Sequence, residues 1–348
     1  RAFAAALGLR LYVFGGSPNT GDLQICRVEH LEPGGAWRAL PSLRDPRCDA
    51  AAAVLGRRLY VVGGCSNTRG VLSSVECFDL DAEAWRSLPP LHRARGCPAL
   101  AVLAGRIYIC GGCDDNLHPI SAAECFDPGA ESWQALPPMI QPRICAVAAA
   151  VAGVLCVCGG NSGVSDSLEL LDPSARAWRS LPPAPEGRAH GSWCLLGSWL
   201  YGCGGHRARK ALRTAERCCP EAAVWEELPP MRQRRYLASV TAANGCVVVC
   251  GGYCGDDPQR NNGPVLASVE AFDPRIGAWQ SLPPLPQGKA QCLLAAVAGC
   301  LYVCGGEQRG RARRAVAALE SVARLRPGAR AWEPLARMAP PRLGAAKA

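Results

Sequence analysis

The sequence contains no apolar run long enough to cross a bilayer and no signal-like start, so nothing in it is expected to span a membrane or to be exported through one. It carries no Asn-x-Ser/Thr sequon. It also lacks a Gly-rich phosphate loop, a His-Glu-x-x-His pair and a nucleophile elbow, which removes the usual motifs of nucleotide, zinc-peptidase and serine-hydrolase chemistry. Aromatic residues are few, at 6%, whereas Pro and Gly number 29 and 38. That balance suits many short strands joined by tight turns.

Cysteine is plentiful. The 21 Cys are odd in number and spread through a large chain without sequons, which favours free thiols in a reducing, intracellular setting over a disulfide scaffold. The cytoplasm is expected, with a nuclear or cytoskeleton-associated location as the alternative. Their placement agrees. Cys110, Cys158, Cys203, Cys250 and Cys304 each precede a Gly doublet, where other copies have Phe14 and Val62. A slot shared by Cys, Val and Phe is a core slot.

The doublets begin at Gly15, Gly63, Gly111, Gly159, Gly204, Gly251 and Gly305, so the pattern recurs at nearly equal intervals with the longest step last. Each has its own Trp downstream: Trp37, Trp85, Trp133, Trp178, Trp225, Trp279 and Trp332. A period of about 48 residues marks an array or a propeller. The length of 348 residues alone would suggest two domains, but seven copies argue for one closed object of equivalent units. The repeats run approximately 1–46, 47–94, 95–142, 143–187, 188–234, 235–288 and 289–341.

One copy reads as four strands. A run rich in Ala, Val and Leu, such as Cys145–Val151, suits an innermost strand buried on both faces. A Gly turn, with Asn244-Gly245 the clearest hairpin signal, leads to the strand that the doublet ends. A Glu-x-aromatic-Asp strand follows, as at Glu76–Asp79, Glu124–Asp127 and Glu270–Asp273. The fourth strand carries the Trp and stops at Leu-Pro-Pro, because Pro cannot donate to a ladder. Four strands and one large wedge per unit make a propeller blade.

The doublet, the Glu-x-aromatic-Asp strand and the spaced Trp make the chain resemble the kelch-repeat family over essentially all 348 residues. The resemblance implies an all-β, kelch-type β-propeller of seven four-stranded blades. Six is the common number among related adaptors and stands as the alternative. The degenerate last copy is where the count would fail, with Glu320-Ser321-Val322-Ala323 and Leu335-Ala336 in place of Leu-Pro. The closest likeness is to the propeller of BTB-kelch adaptors. It implies a recognition module of a cullin ubiquitin ligase, reaching the cullin only through a BTB region upstream of Arg1. An actin or cytoskeletal scaffold is the alternative. The chain starts at Arg1 within a repeat, so a piece of a longer protein is expected. Propellers of this type close with a C-terminal strand in the first blade, here 342–348, unless Ala2–Leu7 keeps the place.

The spacing from doublet to third-strand Glu varies nearly twofold, shortest in the fourth copy and longest in the sixth, while Glu to Trp is nine in five copies. The loop between strands two and three is therefore the free one, and such loops usually carry binding. It shares a face with the connection from strand four to the next blade. Candidate contacts on that face are Arg207, Arg209, Lys210 and Arg213 in the fifth copy, and Arg309, Arg311, Arg313 and Arg314 in the seventh. Tyr253 opens the longest loop. A ring of Arg47, Arg95, Arg143, Arg188 and Arg235, each at one fixed spacing before a doublet, joins them, with Lys289 in the sixth such place. Arg forks match carboxylates, so a protein or peptide ligand of acidic character is expected. The ring Arg have a plainer reading as partners of the third-strand Glu. The clusters lack interleaved aromatics, which argues against nucleic acid despite a net charge of +9.

No catalytic residue, metal or cofactor is expected. Cys110-Gly-Gly-Cys113 has half a zinc spacing, but Cys110 belongs to the core slot. Cys65, Cys113 and Cys254 lie just past their doublets, where exposed and reactive thiols are expected. Some kelch-like propellers are copper oxidases, with Tyr and His converging on the channel. Here Tyr12, Tyr60, Tyr108, Tyr201 and Tyr302 share one second-strand position, and the five His fall at different repeat positions.

Overall fold

A computed structural model describes residues 3–7, 10–15, 26–32, 34–160, 167–255, 263–309 and 316–338. Seven four-stranded antiparallel sheets follow one another along the chain, each a meander in sequence order. In the third blade the strands are Ala99–Leu103, Arg106–Cys110, Ala123–Asp127 and Ser132–Leu136. Ile107 pairs with Phe126, and Phe126 with Trp133. The second strand is buried along all but its first residue because neighbouring blades cover both of its faces. The core-slot residues Cys110, Cys158, Cys203, Cys250 and Cys304 are all buried, as are Phe14 and Val62.

The apolar core is divided into layers between blades. Tyr60 and Val62 of the second blade meet Ile107, Ile109 and Phe126 of the third. Equivalent layers join every neighbouring pair, including the seventh and the first, where Leu293 and Tyr302 meet Leu11 and Val13. Each Trp stitches its layer. Trp85, Trp133, Trp178, Trp225, Trp279 and Trp332 donate Nε1–H to the carbonyl of Pro41, Pro89, Pro137, Pro182, Pro229 and Pro283 in the preceding blade, at 2.6 to 2.9 Å. The ring closes the same way, with Trp37 donating to Ala336 O at 2.8 Å. The degenerate tail Leu335-Ala336 still serves, since the bond uses a carbonyl and not a Pro ring. In the first blade Phe3–Leu7 holds the inner place and touches Ala51–Leu55 and Leu293–Val297 on either side. Residues 342–348 lie outside the described residues.

The Gly doublet is the point of closest approach between blades. Gly111 has φ of 62°, and a Cβ there would lie 2.5 Å from Arg143 O of the next blade. Gly112 N–H donates to that same carbonyl at 2.7 Å. Any side chain at Gly111 would push the blades apart.

The seventh blade corrects one expectation. Its third strand is Val322–Leu325, so Ala323, opposite Val303, holds the Glu position and Leu325 the aromatic one. Glu320 precedes the strand. The spacing to Trp332 is then nine, as elsewhere, and this blade has no third-strand Glu.

Candidate functional site: the loop face and the channel mouth

The ring of Arg turns inward. Arg47, Arg95, Arg143, Arg188 and Arg235 are all at most 1% exposed. Arg143 is typical. Its Nη1 donates to Gly159 O at 2.8 Å and Ser167 O at 3.2 Å, and its Nη2 meets Glu169 Oε1 at 2.8 Å. The other oxygen of Glu169 accepts Ile140 N–H at 2.6 Å, from the link that brings the chain in from the preceding blade. The pairs Arg47–Glu76, Arg95–Glu124, Arg188–Glu216 and Arg235–Glu270 repeat the arrangement. Burial pulls the Arg47 and Arg95 guanidinium pKa values down, and the Glu partners oppose it. These five side chains cannot meet a ligand: a buried guanidinium with carbonyls and a carboxylate on its donors is a brace between doublet, third strand and link. Lys289 is the sixth brace and has only Ser321 O, at 2.8 Å.

Tyr253 is also withdrawn from the surface. It is buried, stacked on Tyr236 at 5.5 Å, and its hydroxyl donates to Glu307 Oε1 at 2.8 Å.

Exposed cations remain on the loop face. Arg207, Arg209, Lys210 and Arg213 are exposed in the fifth blade, the first three on the ribbon His206–Arg207/Lys210–Ala211 and its turn. Arg232 and Arg234 are exposed as well. They belong to the link that runs beside Arg213, where Met231 N–H donates to Arg213 O at 2.8 Å. Sequence spacing did not single these two out. Their signal was the link register, one and three positions before the brace Arg235. Among the seventh-blade candidates, the backbone of Arg309 lies in Glu307–Arg309. Arg311, Arg313 and Arg314 lie outside the described residues.

Of the channel mouth, the sequence singles out Cys65, Cys113 and Tyr253 but not the residues they meet there. Two positions past each brace the backbone is left-handed at Asp49, Cys97, Cys145, His190, Leu237 and Gln291, with φ from 49° to 57°. Backbone bonds run between these positions in neighbouring blades, from Cys97 N to Asp49 O at 2.8 Å and from Gln291 N to Leu237 O at 3.0 Å. Beside them stand the residues just past the doublets, Cys65, Cys113, His206, Tyr253 and Glu307, bridged to Cys48, Gly96, Ala189, Tyr236 and Ala290. One half of the mouth thus carries thiols, of which Cys65 is half-buried and Cys113, against expectation, buried. The other half carries His190 and His206, whose Nδ1 and Nε2 are 2.9 Å apart, followed by Tyr236, Tyr253 and Glu307. Burial lowers the His206 pKa. The His residues that looked scattered therefore include a contacting pair. Tyr12, Tyr60, Tyr108, Tyr201 and Tyr302 are buried in the blade layers. Among the described residues, no group of three or more His, Cys, Asp or Glu is placed to hold a metal ion.

Comparisons with known proteins agree with this architecture. Residues 1–160 match the KLHDC2/KLHL20/DRC7 Kelch-repeats domain, and residues 234–286 match the Kelch motif. A curated relative, human Kelch-like protein 33, is 33% identical over 123 residues, which is 34% of this chain. The match spans only 21% of that protein's length. Among solved structures, one titled "Structure of YjhT" superposes with a TM-score of 0.59 at 16% identity, over 96% of this chain and 97% of its own, a likeness of fold. The chain is a kelch-repeat protein, and its seven blades form a kelch β-propeller.

Proposed function

We propose that the propeller is the recognition part of a ubiquitin-ligase adaptor and holds an acidic protein or peptide segment on its loop face. In this reading a BTB region elsewhere in the protein engages the cullin, and the propeller selects what is modified in the cytoplasm. A kelch propeller is a protein-interaction module, and the partial likeness to Kelch-like protein 33 favours an adaptor. The observation that carries the ligand's chemistry is the cluster Arg207, Arg209, Lys210, Arg213, Arg232 and Arg234 beside the mouth. Among the described residues, no carboxylate pairs with Arg207, Arg209 or Lys210. Unpaired guanidinium forks on a rigid ribbon suit bidentate carboxylates.

The test is affinity capture from cell lysate with the chain and with its Arg207→Glu/Arg209→Glu/Lys210→Glu variant, read by mass spectrometry. The reading expects acidic partners to be lost from the variant while its melting temperature stays unchanged. Identical partners on both baits would remove the acidic ligand. Absence of a cullin from captures with the full-length protein would remove the ligase.

A further inference from the structure

Five thiols crowd one half of the channel mouth. In the second blade Cys48 and Cys65 exchange two backbone hydrogen bonds, at 3.0 and 2.8 Å. In the third, Gly96 and Cys113 do the same at 3.0 and 2.8 Å, which sets Cys97 next to Cys113. Hydrogen bonding from the Cys97 thiol lowers the pKa of Cys113. A Cβ added at Gly96 would meet Cys65 Sγ at 2.5 Å and Cys113 Sγ at 3.3 Å, so sulfurs from two blades lie over one glycine. Cys145 N–H reaches Cys97 O at 3.2 Å from the fourth blade. None of the 21 Cys is in a disulfide.

We infer that Cys97 and Cys113 form a redox pair that a small peroxide closes into a disulfide at the channel mouth. Both sulfurs are held in place by their backbones. Cys97 sits at φ of 49° with its N–H on Asp49 O at 2.8 Å, and Cys113 is locked by its double bond pair to Gly96. Two neighbours, Cys65 and Cys110, are poor competitors. Burial pushes Cys65 up to about 12, with Asp49 and Cys48 adding to it, and burial pushes Cys110 to about 12 as well. The Cys113 thiol is lowered, by the Cys97 hydrogen bond and against burial. The thiolate is the reactive form.

In the first step the Cys113 thiolate attacks one oxygen of hydrogen peroxide. An S–O bond forms, the O–O bond breaks, and the leaving hydroxide departs as water after taking up a proton. The Cys97 sulfur then loses its proton and attacks the sulfenic sulfur of Cys113. The S–S bond forms, the S–O bond breaks, and a second water leaves. The two thiols lose two electrons and one peroxide becomes two waters.

The test treats the chain with limiting hydrogen peroxide, blocks free thiols and maps cross-linked peptides. Trypsin leaves Cys97 in one peptide and Cys110, Cys113 and Cys125 in another, so fragmentation must place the link at Cys113. The expected product is Cys97–Cys113, reversed by dithiothreitol. Cys97→Ser should then carry a single added oxygen at Cys113, and Cys113→Ser should leave Cys97 reduced. Cys113 still free when other thiols of the chain have oxidised, or linked instead to Cys65, overturns the assignment. The wild-type map decides this even if either variant folds poorly.

Discussion

Arg235 and Glu270 meet at 2.6 Å inside the sixth blade, with both side chains at most 2% exposed. The same carboxylate accepts Arg232 N–H at 2.7 Å, so it ties the third strand to the incoming link. Removing one partner of such a pair strands the other charge in a dry site. Glu270→Gln is therefore expected to destabilise the chain by about 3–5 kcal/mol. Urea denaturation measures it. A loss no larger than that of an exposed control, Glu221→Gln, would show that the pair is not a brace.

The seventh blade supplies the contrast. Lys289 is 2% exposed, burial lowers its pKa, and Ala323 stands where a Glu would face it. A buried ammonium without a carboxylate gives the fold little in return for its desolvation. Lys289→Met keeps the length of the stem and is expected to leave the urea midpoint unchanged or to raise it. A large drop would mean that the single bond to Ser321 O outweighs the desolvation.

Ring closure rests partly on one indole. Trp37 donates to Ala336 O, joining the first blade to the last. Trp37→Phe keeps most of the apolar surface and deletes that bond, so a cost of about 1 kcal/mol is expected. Trp85→Phe, which loses the equivalent bond to Pro41 O inside the ring, should cost the same. If Trp37→Phe costs nothing while Trp85→Phe costs the expected amount, closure does not depend on this contact.

The blades were legible because a propeller repeats its physics. The same slot meets the same neighbour in every copy, so Cys110, Val62 and Phe14 could be equated from spacing alone. The direction of a side chain was not legible. Arg143 and Arg207 are both cations near the same face, and only the carbonyls of Gly159 and Ser167 and the acid of Glu169 draw the first one inward. The seventh blade misled because Glu320 looked like the missing acid. The nine-position ruler back from Trp332 points to Ala323 instead. The pairings at the mouth were hidden for a third reason. Cys97 and Cys113, like His190 and His206, repeat the spacing from brace to doublet, but each blade fills the two positions with different chemistry.

The His pair predicts a pH dependence whose sign can be worked out. His190 Nδ1 and His206 Nε2 are 2.9 Å apart, so one ring donates to the other, and protonating both would place two cations side by side. Tyr236 packs edge-on against His206, and Arg207 follows it in the chain. Burial lowers the His206 pKa from 6.5, so the folded chain favours the neutral ring. The unfolded chain takes up the proton more readily. Stability from this site is therefore present above the unfolded value and is lost as pH falls below about 6.5 toward the lower folded value. The melting temperature is expected to fall between pH 7.5 and 5.5, and to fall less in His206→Gln. Comparing slopes removes the shared contribution of the carboxylates. Equal slopes in the two proteins would place the acid sensitivity elsewhere in the ring.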